Sequence, residues 1–120
     1  MFSDGYELDQ TGAVVTAALD GPEVSHEQML ELLEDCKLKL RNDNAKTFVF
    51  DMEKVTFLAS ACIGALVELL REVEPCRGRI GLAGCSDNVS FLFKVTKLDD
   101  IFAMFDDVED ALDELADDLR

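Results

Sequence analysis

The sequence lacks the residue patterns of a metal site and of a membrane span. Its four cysteines form no C-x-x-C pair, and the single histidine, His26, leaves too few ligands for zinc. No segment approaches the ~20 apolar residues that span a bilayer, and the amino terminus lacks a signal-peptide pattern. We therefore expect a cytoplasmic protein with no metal, no cofactor and no direct membrane insertion. We also expect reduced structural thiols at Cys36, Cys62, Cys76 and Cys85, because each lies in or beside an apolar segment.

Positive charge is also scarce. Only 11 lysine and arginine residues accompany 26 aspartate and glutamate residues, which gives a formal net charge of -15. Nucleic acid and anionic membrane surfaces are unfavourable partners, because their phosphates would meet like charge. The acidity instead favours a protein partner with a basic surface, although acidity also keeps small proteins soluble without any further role.

Motifs for catalysis and for nucleotide binding are missing. Residues 58–62 read Leu-Ala-Ser-Ala-Cys, which lacks both glycines of the G-x-S-x-G nucleophile motif of hydrolases. The candidate base, His26, falls in the first turn of a different predicted helix. Residues 81–84 lack the lysine and the spacing of a P-loop, and no G-x-G-x-x-G follows a strand. The chain is therefore predicted not to be an enzyme.

The apolar residues alternate between the period of a strand and that of a helix. The first half of the chain is predicted to form a hairpin around Thr11-Gly12, a helix over 26–40 that follows a capping box at Ser25–Gln28, and a buried strand over 48–50. A helix from Ser60 to about Pro75 and a strand over 79–83 are predicted next. The predicted elements at the end are a helix capped by Ser86, a short strand around 102–104, and an acidic last helix capped by Asp106 and Glu109. This order predicts one α/β domain over residues 1–120. We expect a mixed, mostly parallel five-stranded sheet with an antiparallel edge and about four helices on one main face.

The last helix carries an apolar stripe that we expect to pack on the sheet, while its acidic face is expected to be solvated. The stripe consists of Val108, Ala111, Leu112, Leu115 and Leu119.

The junction before Ser60 is the strongest candidate for a functional site. A serine at a strand-to-helix transition is predicted to cap the first turn, which contributes about 1 kcal/mol. The free N–H groups and the positive end of the helix dipole would also accommodate a phosphate on Ser60. From the residues alone, a purely structural cap and a phosphorylation switch both remain open.

Three stretches of the chain resemble the STAS domain family, named for sulphate transporters and anti-sigma factor antagonists. Residues 48–66 resemble the family's central strand, loop and helix start, and residues 78–84 resemble its next strand. Residues 95–112 are similar to its carboxy-terminal signature, in which a threonine and a leucine precede a short strand and an acidic-capped helix. The resemblance implies the STAS fold.

The family's switch motif is Asp-Ser-Ser/Thr-Gly, and its first serine is the one that is phosphorylated in the family. Ser60 matches the position of that serine. Ala59 stands at the aspartate position, Ala61 at the second hydroxyl position and Cys62 at the glycine position, while Gly64 fits the family pattern. The resemblance implies that these five residues form the partner-binding surface and that Ser60 is its phosphorylation site.

Two functions follow from the resemblance. The first is a bacterial anti-sigma factor antagonist that binds a partner serine kinase. The kinase is itself an anti-sigma factor and has a basic surface. Phosphorylation of Ser60 switches the binding, and a phosphatase removes the phosphate. The alternative is a constitutive STAS interaction module, such as a subunit of a phospholipid-transport ATPase complex or a stress-signalling scaffold. Both functions act through protein binding.

Overall fold

A computed structural model describes residues 5–117, and over this range the chain has an α/β architecture. The strands are β1 (Tyr6–Thr11), β2 (Val14–Leu19), β3 (Glu23–Val24), β4 (Thr47–Asp51), β5 (Phe57–Leu58), β6 (Arg79–Ala83) and β7 (Ala103–Phe105). The α-helices are α1 (His26–Asn42), α2 (Ser60–Val73), α3 (Asp87–Val95) and α4 (Val108–Asp117). Within the described range, no helix combines the length and the apolar content that a membrane crossing requires.

The main sheet has five strands in the order β1-β2-β4-β6-β7. The β1–β2 hairpin is antiparallel, and the other three pairings are parallel. Its central strand is apolar on both faces, because Phe48, Val49 and Phe50 are all buried. A strand buried on both sides needs cover on both sides, as is usual for parallel sheets. The predicted mixed, mostly parallel sheet with about four helices is confirmed.

The helices cover both faces of the sheet, so the prediction of one main helical face holds for α1, α2 and α3 and is wrong for α4. Helices α1, α2 and α3 pack on the face that carries Phe48 and Phe50. Helix α4 packs on the opposite face, where its Ala111 and Leu115 contact a smaller apolar cluster that includes Val49. Strand alternation explains the division, since Val49 points away from its two neighbours and would otherwise face water.

Side-chain hydrogen bonds begin α1 and α3 where the sequence predicts them. Ser25 Oγ accepts from the backbone N–H of Gln28 at 3.2 Å, and Gln28 Oε1 accepts from the backbone N–H of Ser25 at 3.0 Å. This is the predicted capping box. At α3, Ser86 Oγ accepts from the N–H of Val89 at 3.3 Å. Both helix starts are therefore fixed locally by the sequence.

The predicted cap of α4, at Asp106 and Glu109, is wrong by one residue. The side chain of Asp107 accepts from the backbone N–H of Asp110 at 2.8 Å, so the helix begins at Val108. Two consecutive aspartates offer the same capping chemistry, and the second of them is the one that caps the helix.

The apolar stripe of α4 packs on the sheet as predicted. Ala111 and Leu115 are buried, and Val108 and Leu112 are partly buried against them. The remaining predicted member, Leu119, lies outside the described residues.

The four cysteines are free but do not share one environment. Cys36 and Cys62 are buried and Cys85 is partly buried, whereas Cys76 lies exposed in a 3₁₀ turn after α2. Burial raises the pKa of Cys36 to about 12, with a smaller contribution from the charge of Asp35, and burial raises the pKa of Cys85 to about 11. The prediction of a structural thiol is therefore wrong for Cys76.

Candidate functional site

The candidate site lies at the edge of the sheet where the parallel strands end, here called the carboxyl edge. Strands β2, β4, β6 and β7 all end at this edge, because each runs parallel to its neighbour. The loop after β4 crosses it and leads into α2, which begins at Ser60. In open α/β sheets, binding sites lie at this edge, where loops and helix N-termini converge.

The loop after β4 is held in place by backbone hydrogen bonds. Met52 N donates to the carbonyl of Ala83 at the end of β6 at 2.8 Å, and Val55 N donates to the carbonyl of Met52 at 2.9 Å. The carboxylate of Asp51 accepts from the N–H of Glu53 at 3.1 Å. These bonds fix the path of the chain towards the start of α2.

A second, two-stranded sheet then sets the position of α2. The N–H groups of Thr56 and Phe57 donate to the carbonyl of Pro22 at 2.8 and 2.9 Å, and β5 pairs in parallel with β3. This pairing buries Leu58 and leaves the ring of Phe57 59% exposed. Neither the pairing nor the role of Phe57 is predictable from the sequence, because strands of two residues carry no periodic signal.

Ser60 is the first residue of α2 and does not cap it. The N-cap is Ala59, which has extended backbone angles (φ -63°, ψ 140°) and no side-chain capping bond. Its carbonyl accepts from the N–H of Cys62 at 2.9 Å. The predicted capping role of Ser60 is therefore wrong, and its exposed hydroxyl lies beside a first turn that lacks a side-chain acceptor.

The other predicted partner-binding residues divide into two groups. Ala61 and Gly64 are exposed with Ser60, and Ala59 is partly buried. A Cβ placed on Gly64 would have no heavy atom within 4 Å, so the surface of the helix is open there. We call Ser60, Ala61 and Gly64 the first-turn patch.

Cys62 does not belong to that patch, contrary to its prediction as a partner-binding residue. Its side chain is 0% exposed, and its Sγ donates to the carbonyl of Val24 in β3 at 3.6 Å. Burial raises the pKa of this thiol. Position 62 lies on the apolar side of α2 with Ile63 and Leu66, so it faces the core and fastens the helix start to β3.

The carboxyl edge is acidic. Its one lysine within residues 20–24, 51–58 and 84–89 is Lys54, whose Nζ lies 3.2 Å from Asp20 Oδ1. Both side chains are mostly exposed, so this ion pair adds little stability. The carboxylate of Asp20 nevertheless offsets the positive charge of Lys54. The acidic residues of the three segments are Asp20, Glu23, Asp51, Glu53 and Asp87. Acidic side chains therefore outnumber basic ones in these three segments.

The arrangement supports binding better than catalysis. His26 is exposed as the first residue of α1, as expected. Among residues 5–117, no group of three or more His, Cys, Asp or Glu side chains could hold a metal ion. The edge instead offers a hydroxyl, backbone N–H groups, small side chains and negative charge.

The match to a known family agrees with this geometry. The family model of the STAS domain matches residues 6–111, which is most of the chain. The protein therefore belongs to the STAS domain family.

Solved structures with the same fold include regulators and a transporter protein. The anti-sigma factor antagonist SpoIIAA in its unphosphorylated form is 22% identical, with a TM-score of 0.83 over 92% of this chain and 96% of that one. SpoIIAA from Bacillus has also been determined in a phosphorylated form, with 22% identity and a TM-score of 0.75 over 91% of this chain and 97% of that one. A variant of Moorella thermoacetica RsbS is 17% identical, with a TM-score of 0.79 over 96% and 97% of the two chains. A sulfate transporter family protein from Wolinella succinogenes is 19% identical, with a TM-score of 0.71 over 87% and 85%. At these identities the likeness establishes the fold.

Proposed function

We propose that this protein is an anti-sigma factor antagonist that acts in the cytoplasm by binding a serine kinase, itself an anti-sigma factor. It acts by competitive binding and catalyses no reaction. The observation that carries the proposal is the exposed position of Ser60 on the first-turn patch, at an acidic edge. SpoIIAA, which shares the fold, is described as an anti-sigma factor antagonist with unphosphorylated and phosphorylated forms.

The start of α2 is well suited to carry a phosphate on Ser60. Because Ala59 provides no side-chain acceptor, phosphate oxygens could accept from the N–H groups of the first turn. The positive end of the helix dipole favours the added charge of about -1.5 to -2. Phosphorylation should therefore change the surface and leave the fold intact.

Two electrostatic effects compete once Ser60 is phosphorylated. At long range, more negative charge on a chain of net charge -15 would attract a basic partner more strongly. At close range, a hydrated dianion must lose water and needs space that a contact fitted to Ser60, Ala61 and Gly64 does not leave. The short-range effect decides, because the first-turn patch is made of small residues that a partner surface can approach closely. Phosphorylation is thus proposed to release the partner, and a phosphatase would restore binding.

A constitutive interaction module is the second candidate. The observation that favours it is the pair of alanines flanking Ser60, where the family's switch motif has an aspartate and a hydroxyl residue. In such a module the same patch would bind its partner permanently. A STAS subunit of a phospholipid-transport ATPase complex or of a stress-signalling scaffold would act in this way.

Affinity purification from the native cells, with mass spectrometry of the retained proteins, tests the proposal. The bait is compared with a Gly64→Gln variant, because the open space at Gly64 allows a larger side chain without disturbing the fold. Thr11→Gln is the matched control, since exposed Thr11 lies at the opposite edge of the sheet. We expect a serine kinase with wild type and with Thr11→Gln, and its loss with Gly64→Gln. Recovery of a transporter ATPase and permease in place of a kinase would contradict the proposal and support the module.

A further inference from the structure

A groove of about 350 Å³ lies beside Ser60, between β5 and α3. Its apolar lining consists of Phe57, Leu58, Val89 and Leu92. Leu58 and Val89 are buried in the main core, so the floor of the groove is rigidly held. The ring of Phe57 stands exposed and forms a wall. The groove is a preformed apolar recess in an otherwise acidic edge.

The lining of the groove includes polar, uncharged residues, and acidic residues adjoin that lining in sequence or in strand register. Thr56, Ser60 and Asn88 complete its lining, and the hydroxyl of Thr56 is engaged with the carbonyl of Pro22 at 3.1 Å. Glu23 is exposed and is the register partner of Phe57, and Asp87 lies in the first turn of α3 next to Asn88. An occupant therefore needs an apolar group to fill the recess and positive charge to match these adjoining carboxylates.

We propose that this groove receives one apolar side chain, of about the size of leucine, from a partner segment that carries basic residues on both sides. The protein nature of the occupant rests on the proposed function. The volume is at the lower end of the range for ligand pockets and leaves room for one apolar side chain. Apolar anchors seated in recesses contribute most of the affinity in many interfaces, and charges around them provide orientation and speed of association.

The groove also places the apolar side chain of the partner next to the proposed phosphorylation site. Ser60 is part of its lining, so a phosphate on this hydroxyl would stand at the mouth of the recess. The anchor would then have to pass a hydrated dianion to reach an apolar floor. Phosphorylation would in this way expel the anchor and also weaken the contact on the first-turn patch.

Two amidated, acetylated peptides test the groove directly. One has the sequence Arg-Arg-Leu-Arg-Arg and the other Arg-Arg-Ser-Arg-Arg, so they differ only in the anchor. Each is titrated into the ¹⁵N-labelled protein and followed by NMR. We expect the leucine peptide to bind about tenfold more tightly, equivalent to ~1.4 kcal/mol, with shifts concentrated at the amides of Leu58, Asn88, Val89 and Leu92. Equal affinities, or shifts that map elsewhere, would overturn the proposal.

Two exposed phenylalanines give a matched pair of variants. Phe57 lines the groove and is 59% exposed, whereas Phe91 on α3 is 65% exposed and does not line it. Both substitutions to alanine should leave the fold intact, as circular dichroism would check, because surface substitutions change stability little. We expect Phe57→Ala to abolish the preference for leucine and Phe91→Ala to retain it. A preference that survives Phe57→Ala would place the anchor elsewhere and overturn the proposal.

The peptide experiment is independent of the phosphorylation switch. If the leucine preference holds while the purified kinase binds Ser60→Asp as tightly as wild type, the groove stands and the switch fails. If the kinase responds to Ser60 but the peptides show no preference, the proposed function stands and the groove fails.

Discussion

The packing of α4 on the second face of the sheet predicts a large loss of stability for Leu115→Ala. Leu115 is fully buried in the cluster that contains Val14, Val49 and Ala83. Its Cδ1 occupies space made available by Gly81, where an added Cβ would lie only 2.7 Å away. The side chain is therefore inserted over the centre of the sheet.

The magnitude follows from burial. Replacing a fully buried leucine with alanine costs about 2–5 kcal/mol, because it removes apolar contacts and leaves a cavity. Rigid strands beneath Leu115 limit collapse into that cavity, so we expect about 3 kcal/mol or more. Leu112 is the matched control one turn earlier. It is only partly buried, so Leu112→Ala should cost about 1–2 kcal/mol.

Urea denaturation followed by circular dichroism measures both variants against wild type. The midpoint should fall most for Leu115→Ala, with an unchanged slope, since the slope reports the surface exposed on unfolding. Equal and small effects of the two substitutions would show that α4 is not packed on the sheet. A lower slope with a small midpoint change would instead indicate that α4 separates from the rest before global unfolding.

Three further outcomes follow from the structure. Gly78→Ala should destabilise by about 3 kcal/mol or more in the same assay, because its Cβ would lie 1.7 Å from the carbonyl oxygen of Lys46; an unaffected midpoint would contradict that close approach. Gly64→Ala should stabilise by about 0.5–1 kcal/mol, since the site is open and helical, and a loss of stability would show hidden crowding. Cys76 should react rapidly with a thiol reagent in the native protein while the buried Cys36 and Cys62 react only on unfolding; rapid reaction of more than two of the four cysteines would refute that burial.

The periodic parts of the chain were predictable because each pattern is local. The capping box at Ser25, the buried run of β4 and the stripe of α4 each depend on residues close in sequence. The parallel order followed from alternation of strands with helices.

The sidedness of α4 and the start of α2 were not predictable in the same way. The residues near α4 in sequence do not indicate which face of the sheet the helix will bury. That choice depends on the exposure of Val49 on the second face, which arises only when the strands pair. Likewise, the cap at Ala59 follows from pairing of β5 with β3, which places α2 against Val24. A serine beside a helix start looks like a cap until tertiary contacts fix the register.

The start of α2 was predicted correctly, but the exposure of the residues around it was not. The sequence predicts Ser60 at the start of α2, and in the structure Ser60 is the first residue of that helix and is exposed. Cys62 was included by proximity in sequence, although a shift of two residues on a helix turns a side chain towards the core. Phe57 was missed because its exposure depends on which face of a two-residue strand is covered.

The central claim is that a negative charge at Ser60 releases the partner without unfolding the protein. Calorimetric titration of the purified kinase with wild type, Ser60→Ala, Ser60→Asp and Thr11→Asp tests it most directly. Aspartate in the first turn of a helix is favoured by the dipole by about 0.3–1 kcal/mol, so weaker binding by Ser60→Asp would not reflect unfolding. Thr11→Asp adds the same charge at the opposite edge of the sheet. We predict that Ser60→Asp binds the kinase at least about tenfold more weakly than wild type does. The affinities of the other three proteins should lie within about twofold of one another. Equal affinity of all four proteins for the kinase would contradict the account.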